Sequence, residues 1–285
     1  MKKFIKFTKV AVLSLFLILL GSILYIRFSR YTDTLIYNVN GLEYDSFESN
    51  IPHKEYYFDV DKNTVLHGVL FKPKGLAIGT IIHHAGKGMH LMSSQSYYKL
   101  LTDRGFQVFG YERRDFGKST GIADNSLILK EDALYVFDTM LEDEKVKETP
   151  IIIWGQSLGG AFAMMNAAER NDKIAGVIVE GTFNSFPDIG KEYARAINLE
   201  NFKWMMPMLM NNDFPAENEI KKISKPVLIL HSKMDEQVPY QLGKKLYEAS
   251  NKSNTEFWEI EGKHIKAMFD YEEEYIERFE EMIRL

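Results

Sequence analysis

The chain has 285 residues, 45% hydrophobic and 26% charged, the proportions of an ordinary globular protein of one large or two small domains. It contains no cysteine, which excludes disulfides, cysteine-ligated zinc, iron–sulfur clusters and a thiol nucleophile. Six of the 35 basic residues and none of the 40 acidic ones fall within residues 1–30, so the remaining body carries a net charge of −11 and no nucleic-acid partner is expected.

Val10 to Ile26 is an uncharged run of 17 residues, about 25 Å of helix, at the short end of what spans a bilayer. Four lysines precede it and two arginines follow. No A-x-A-like site ends it, so residues 1–30 are expected to form an uncleaved signal-anchor, with a cleaved signal as the competing reading. The positive-inside rule leaves the N-terminus in the cytoplasm, which in a bacterium puts the body outside the membrane. Residues 31–53 are polar with interspersed aromatics and no clear period, and are expected to be a stalk.

From residue 54 to 285 the pattern is that of one α/β domain. Glu55–Val60 and Thr64–Phe71 predict a hairpin turning at Asp61-Lys62-Asn63. Strands are expected over residues 77–83, 106–111, 150–154, 174–180, 226–231 and 255–260. Helices are expected over 91–104, 127–141, 158–170, 240–250 and 265–284. Short β-branched runs alternating with longer helical ones imply a mostly parallel sheet of about eight strands, covered on both faces. Residues 182–222 break this rhythm.

The pattern G-x-S-x-G occurs twice, and context separates the copies. A nucleophile elbow needs a strand running straight into a helix, with small residues flanking a serine held out of the sheet. Ser157 meets this: Ile151–Trp154 enters, and Leu158-Gly159-Gly160-Ala161 leaves as a helix whose N-terminal amides face a developing oxyanion. Ser119 follows Arg113-Arg114-Asp115-Phe116 and precedes a loop, so it reads as a structural turn. Gly117-Lys118-Ser119-Thr120 is no P-loop either, because the earlier glycine would fall at Glu112.

Five motifs, HHAGKG at 83–88, YERRDFGKSTG at 111–121, GQSLGG at 155–160, HSKMDEQVP at 231–239 and EGKHIKAM at 261–268, together resemble the α/β-hydrolase superfamily across roughly residues 54–285. Within it the chain looks most like monoacylglycerol lipases, lysophospholipases and acyl-protein thioesterases. The resemblance implies the chain order serine, acid, histidine. Asp235 and His264 each lie just past a predicted strand, where open α/β sheets gather functional loops. His264 would take the proton of Ser157, and Asp235 would fix the imidazole tautomer, with Glu236 as the substitute acid. The resemblance places the oxyanion hole at the amides of Leu158 and Ala85. His84 stands where the family has glycine, which leaves His84 and Gly86 open as donors.

The break at 182–222 falls where this family inserts a cap. It contains Phe202-Lys203-Trp204-Met205-Met206-Pro207-Met208, and adaptable methionines suit an apolar substrate, so Trp204, Met205 and Met208 are candidate substrate contacts. No metal or cofactor is expected: His83, His84 and His90 lack carboxylates at ligand spacing. His53, His67 and His231 read as surface or strand positions. The function expected is hydrolysis of carboxylic esters or thioesters of lipid-like acyl substrates through an acyl-Ser157 intermediate. A peptidase or amidase on the same residues and a non-catalytic binding protein are the alternatives.

Overall fold

The computed structural model describes residues 2–39 and 42–284, with side chains from residue 9 onward. It opens with helix α1 (Lys2–Phe28) and short α2 (Tyr31–Tyr37), followed by the hairpin β1 (His53–Asp61) and β2 (Thr64–Phe71). The predicted alternation comes next: β3 (Gly79–His84), α3 (Leu91–Asp103), β4 (Phe106–Tyr111), α4 (Ser126–Leu141), β5 (Ile151–Gln156), α5 (Leu158–Glu169) and β6 (Gly176–Glu180). The cap carries α6 (Phe186–Ala196), a 3-10 segment at Glu200–Met205, and the single-turn helices α7 (Met206–Leu209) and α8 (Ala216–Glu219). The chain closes with β7 (Val227–Ser232), α9 (Tyr240–Ala249), β8 (Thr255–Ile260), α10 (Ala267–Asp270) and α11 (Glu272–Arg284).

One eight-stranded sheet runs β1-β2-β4-β3-β5-β6-β7-β8. The pairings β1 with β2 and β2 with β4 are antiparallel, and all others are parallel. Strand period two divides the buried side chains between two faces. Ile151, Ile153, Val177 and Val179 pack with residues of α4, α5 and α6, while Ile152, Trp154 and Ile178 pack with residues of α3 and α11. Each large apolar side chain so buried contributes about 1.5–3 kcal/mol. Because parallel strands point the same way, the ends of β3, β5, β6, β7 and β8 release their loops on one edge, where the site lies.

Two segments differ from expectation. The closing helix begins only at Ala267: Ile265 has φ 48 and Tyr271 breaks α10 from α11, which leaves residues 261–266 as a loop. The expected stalk is in part folded onto the body. Tyr37 is fully buried, with its ring edge-on to Phe162 and Phe186 at 6.0 and 5.9 Å. Asp33 accepts from the Ser126 amide (3.0 Å) and from Asn211 (3.1 Å). Its aromatic residues are therefore packing residues, a role that a short segment without a period does not announce. Residues 9–28 of α1 form a helix long and apolar enough to cross a membrane, none of it buried.

Candidate active site

Ser157 sits between β5 and α5 with φ 53 and ψ −122, a backbone conformation costly for a residue with a side chain. Close packing over-determines it. The Ser157 amide donates to Glu180 O (2.8 Å), and its carbonyl accepts from the Thr182 hydroxyl (2.9 Å) and the Gly160 amide (2.9 Å). The next turn can form only with glycine: a Cβ on Gly159 would fall 1.9 Å from His84 O, and one on Gly160 2.4 Å from Thr182 Oγ1.

Asp235 and His264 arrive from the β7 and β8 ends. Asp235 Oδ1 accepts the amides of Gln237 (2.9 Å) and Val238 (2.8 Å), which fixes the carboxylate. Its Oδ2 lies 2.6 Å from His264 Nδ1, and both side chains are buried. This contact assigns the proton to Nδ1 and leaves Nε2 as the basic nitrogen. Glu236, the substitute acid, is exposed. The histidine loop is held from below: Glu180 accepts from the Ala267 amide (2.9 Å), Gln156 (2.9 Å) and Tyr275 (3.2 Å), and Tyr97 donates to Ile265 O (3.0 Å). Burial raises the Glu180 carboxyl above its ordinary value.

The segment Glu180-Gly181-Thr182 lies between the two halves of the site. It bonds Ser157 through its backbone and Thr182, while Gly181 packs under the imidazole, where a Cβ would come within 3.1 Å of His264 Cε1 and Nδ1. Among the described residues the Ser157 hydroxyl makes no hydrogen bond, to His264 or otherwise. Such bonds commonly tighten only in the reacting complex.

The loop after β3 runs beside Ser157, with the Gly86 Cα so placed that a Cβ would meet Ser157 Cβ at 3.3 Å. Buried Arg113 donates to Ala85 O (2.8 Å) and Gly86 O (3.1 Å), fixing both peptide planes. Among the described residues the amides of Leu158, Ala85 and Gly86 donate to no backbone carbonyl, so each has its N–H in hand for an oxyanion. His83 and His84 are core side chains: His83 bonds Tyr98 OH (2.8 Å) and stacks on Trp154, His84 packs by Phe162, and burial pulls both down to about 3. Ser119 is a turn residue whose hydroxyl donates to Glu112 O (2.8 Å) and accepts the His67 amide (2.8 Å).

A cavity of about 580 Å³ opens at Ser157 and Leu158. The cap supplies Phe186, Ile189, Tyr193, Met206, Leu209 and Met210 to its wall. Of the cap residues expected there, Trp204, Met205 and Met208 do not line it, and Trp204 and Met208 are exposed. The reason is phase: Met206, Leu209 and Met210 are spaced i, i+3, i+4 and share the inner face of α7 and its end. Sequence reading also missed Arg113, Glu180, Gly181 and the cavity's far wall, which α1 and α2 supply through Ile26, Tyr31, Thr32, Leu35 and Ile36. Only the motif YERRDFGKSTG drew attention to Arg113; the others carry no local signal.

The model of the family described as serine aminopeptidase, S33, matches residues 77–212, just under half of the chain. The uncharacterized protein YfhR of Escherichia coli K12 is 28% identical over 255 residues, covering 86% of this chain and 82% of that one. Lysophosphatidylserine lipase ABHD12 of Danio rerio is 30% identical over 167 residues, 55% of this chain, and the match spans less than half (43%) of that protein. Among solved structures, the Pyrococcus furiosus esterase Pf2001 superposes with a TM-score of 0.66 at 19% identity, over 87% of this chain and 98% of that one. Est1E of Butyrivibrio proteoclasticus does so with 0.64 at 20%, over 81% and 99%.

Proposed function

We propose that this chain, which belongs to the α/β-hydrolase superfamily, is a membrane-anchored serine hydrolase cleaving carboxylic esters or thioesters of lipid-like acyl substrates. The observation that carries the reading is one arrangement: Ser157, in a strained elbow at the floor of an apolar cavity, shares the Gly181 segment with a hydrogen-bonded His264–Asp235 pair.

In this reading Ser157 Oγ attacks the acyl carbonyl carbon while His264 Nε2 takes its proton. Asp235 holds the imidazole tautomer and stabilises the imidazolium. The tetrahedral oxyanion is received by the Leu158 amide and by that of Ala85, with Gly86 adjacent. His264 then returns the proton to the leaving alcohol or thiol, and the acyl-Ser157 ester is hydrolysed by water activated through the same base. The name of the ABHD12 relative favours single-chain phospholipid substrates. The charge flanking α1 favours a cytoplasmic N-terminus with the catalytic body on the opposite side. A fluorophosphonate should label the wild type and miss Ser157→Ala. Equal labelling of both would leave the fold with a binding role only.

The family described as serine aminopeptidase favours a second reading, a peptidase or amidase on the same residues. The cavity argues against an aminopeptidase: among the described residues its one charged lining side chain is Lys87, which meets a substrate ammonium with like charge. Turnover of p-nitrophenyl acyl esters beside aminoacyl anilides separates the two. Faster turnover of the anilides would overturn the esterase reading.

A further inference from the structure

We infer that α1 and α2 form the outer wall of the acyl cavity and open it at the bilayer surface, so that the substrate is a single-chain acyl ester drawn directly from the membrane. The inference rests on the serine-hydrolase reading above and deepens it.

Ile26, the last residue of the uncharged run, and Ser157 line one continuous cavity. With α1 spanning the bilayer, Ile26 lies where hydrocarbon gives way to head groups. Tyr31, Thr32, Leu35 and Ile36 continue the wall from there to Ser157. At 1.5 Å per residue, α2 adds only about 10 Å. An acyl chain can pass from lipid to the serine along mostly apolar side chains, which spares its methylenes exposure to water. A cavity of about 580 Å³ lies within the range that encloses one small ligand, and is suited to one acyl chain rather than two.

This wall is fixed to the body and is not a loose tether. The Arg27 guanidinium donates to the carbonyls of Pro207 (3.2 Å), within α7, and Met210 (3.2 Å), at its end. Arg30 pairs with Asp33 and Asp213 and donates to Ser126. Lys87, on the loop beside Ser157, donates to Leu35 O (2.9 Å) and so joins α2 to the candidate oxyanion loop. Arg27 and Arg30 thus have a role besides marking membrane orientation: they seat the anchor on the cap.

The absence of native cysteine makes the test direct, because an introduced thiol is unique. Ile36→Cys places it on the half-buried part of the cavity wall and Leu76→Cys on the exposed surface. Full-length protein in phosphatidylcholine vesicles is treated with an ethyl or a hexadecyl phosphonofluoridate, and phosphonylation of Ser157 is read by mass. Maleimide labelling rates are then measured. The expected result is at least about tenfold slower labelling of Ile36→Cys in the hexadecyl adduct than in the ethyl adduct, with Leu76→Cys unchanged. Phosphonylation with equal rates for both adducts would overturn the shared wall while leaving the hydrolase reading intact. No phosphonylation of Ser157 would remove the hydrolase reading, and this inference with it. Ile36→Trp supplies an independent check: it should depress turnover of palmitoyl esters at least about tenfold more than that of butyryl esters, and an unchanged chain-length profile would count against the wall.

Discussion

Gly181 lies directly against the imidazole of His264: a Cβ there would stand 3.1 Å from two ring atoms and 3.2 Å from Asp235 Oδ2. Its φ of +59 is a conformation in which side chains are strained by roughly 1–2 kcal/mol. Gly181→Ala should therefore displace the histidine as well as strain the turn. We predict a loss of ester turnover of about 10²-fold, the effect of a misplacement near 1 Å, against a melting temperature lowered by only a few degrees. Unchanged kcat in a folded variant would contradict the role given to His264.

Asp235→Asn keeps the shape of the carboxylate but can present an N–H to Nδ1, which favours the wrong tautomer. The expected loss in kcat is about 10⁴-fold. Glu236→Gln should leave turnover within about twofold, because an exposed carboxylate away from the imidazole has little to hold in place. A reversal of these two effects, measured with one soluble ester, would transfer the acid's role to Glu236.

Arg113 acts through the loop it pins. Arg113→Met removes the donors to Ala85 O and Gly86 O and lets the neighbouring amides turn. The prediction is a fall in kcat of about 10²-fold with KM changed little, the pattern of a lost transition-state contact. A rise in KM at constant kcat would mean that Arg113 supports binding only.

Burial pushes the Glu112 carboxyl up to about 7 from about 4.5 in the unfolded chain, although Tyr44 OH and the Leu91 amide donate to it. The unfolded chain then gives up this proton at lower pH than the native one. The group's contribution to stability is full below pH 4.5 and is lost as pH rises to about 7, a change of about 3 kcal/mol. Neutral His83 and His84 work oppositely, costing stability as pH falls below 6.5. The difference between wild type and Glu112→Gln isolates the glutamate: urea unfolding should show the variant gaining on the wild type between pH 5 and pH 8. Parallel curves would mean that Glu112 ionises normally.

Much of the fold was legible because a buried parallel sheet writes itself as short apolar runs, and the elbow as a run ending in Gly-x-Ser-x-Gly-Gly. Asp235 and His264 were findable for a related reason, since each follows such a run by a few residues. Arg113 and Glu180 were not, because their importance lies in backbone groups far along the chain: Ala85 and Gly86 for one, Ala267 for the other. Choosing Trp204, Met205 and Met208 from a stretch rich in methionine overlooked helical phase, which turns Met206, Leu209 and Met210 inward instead. The docking of α2 was hidden because a seven-residue helix has too few turns to show a stripe, and the rings that receive Tyr37, those of Phe162 and Phe186, lie more than a hundred residues along the chain.

The seat of α2 also sets an order of assembly. Arg30 is separated from Asp213 by 183 positions, so at ordinary synthesis rates of about 5–20 residues per second it leaves the ribosome roughly 10–40 s before its partner exists. During that interval Tyr37 has no complete set of aromatic partners to receive it. Closure of the cavity is thus a late step in folding, and a nascent chain arrested before residue 186 would carry its apolar leading helix without the cap wall that encloses the cavity at Ser157.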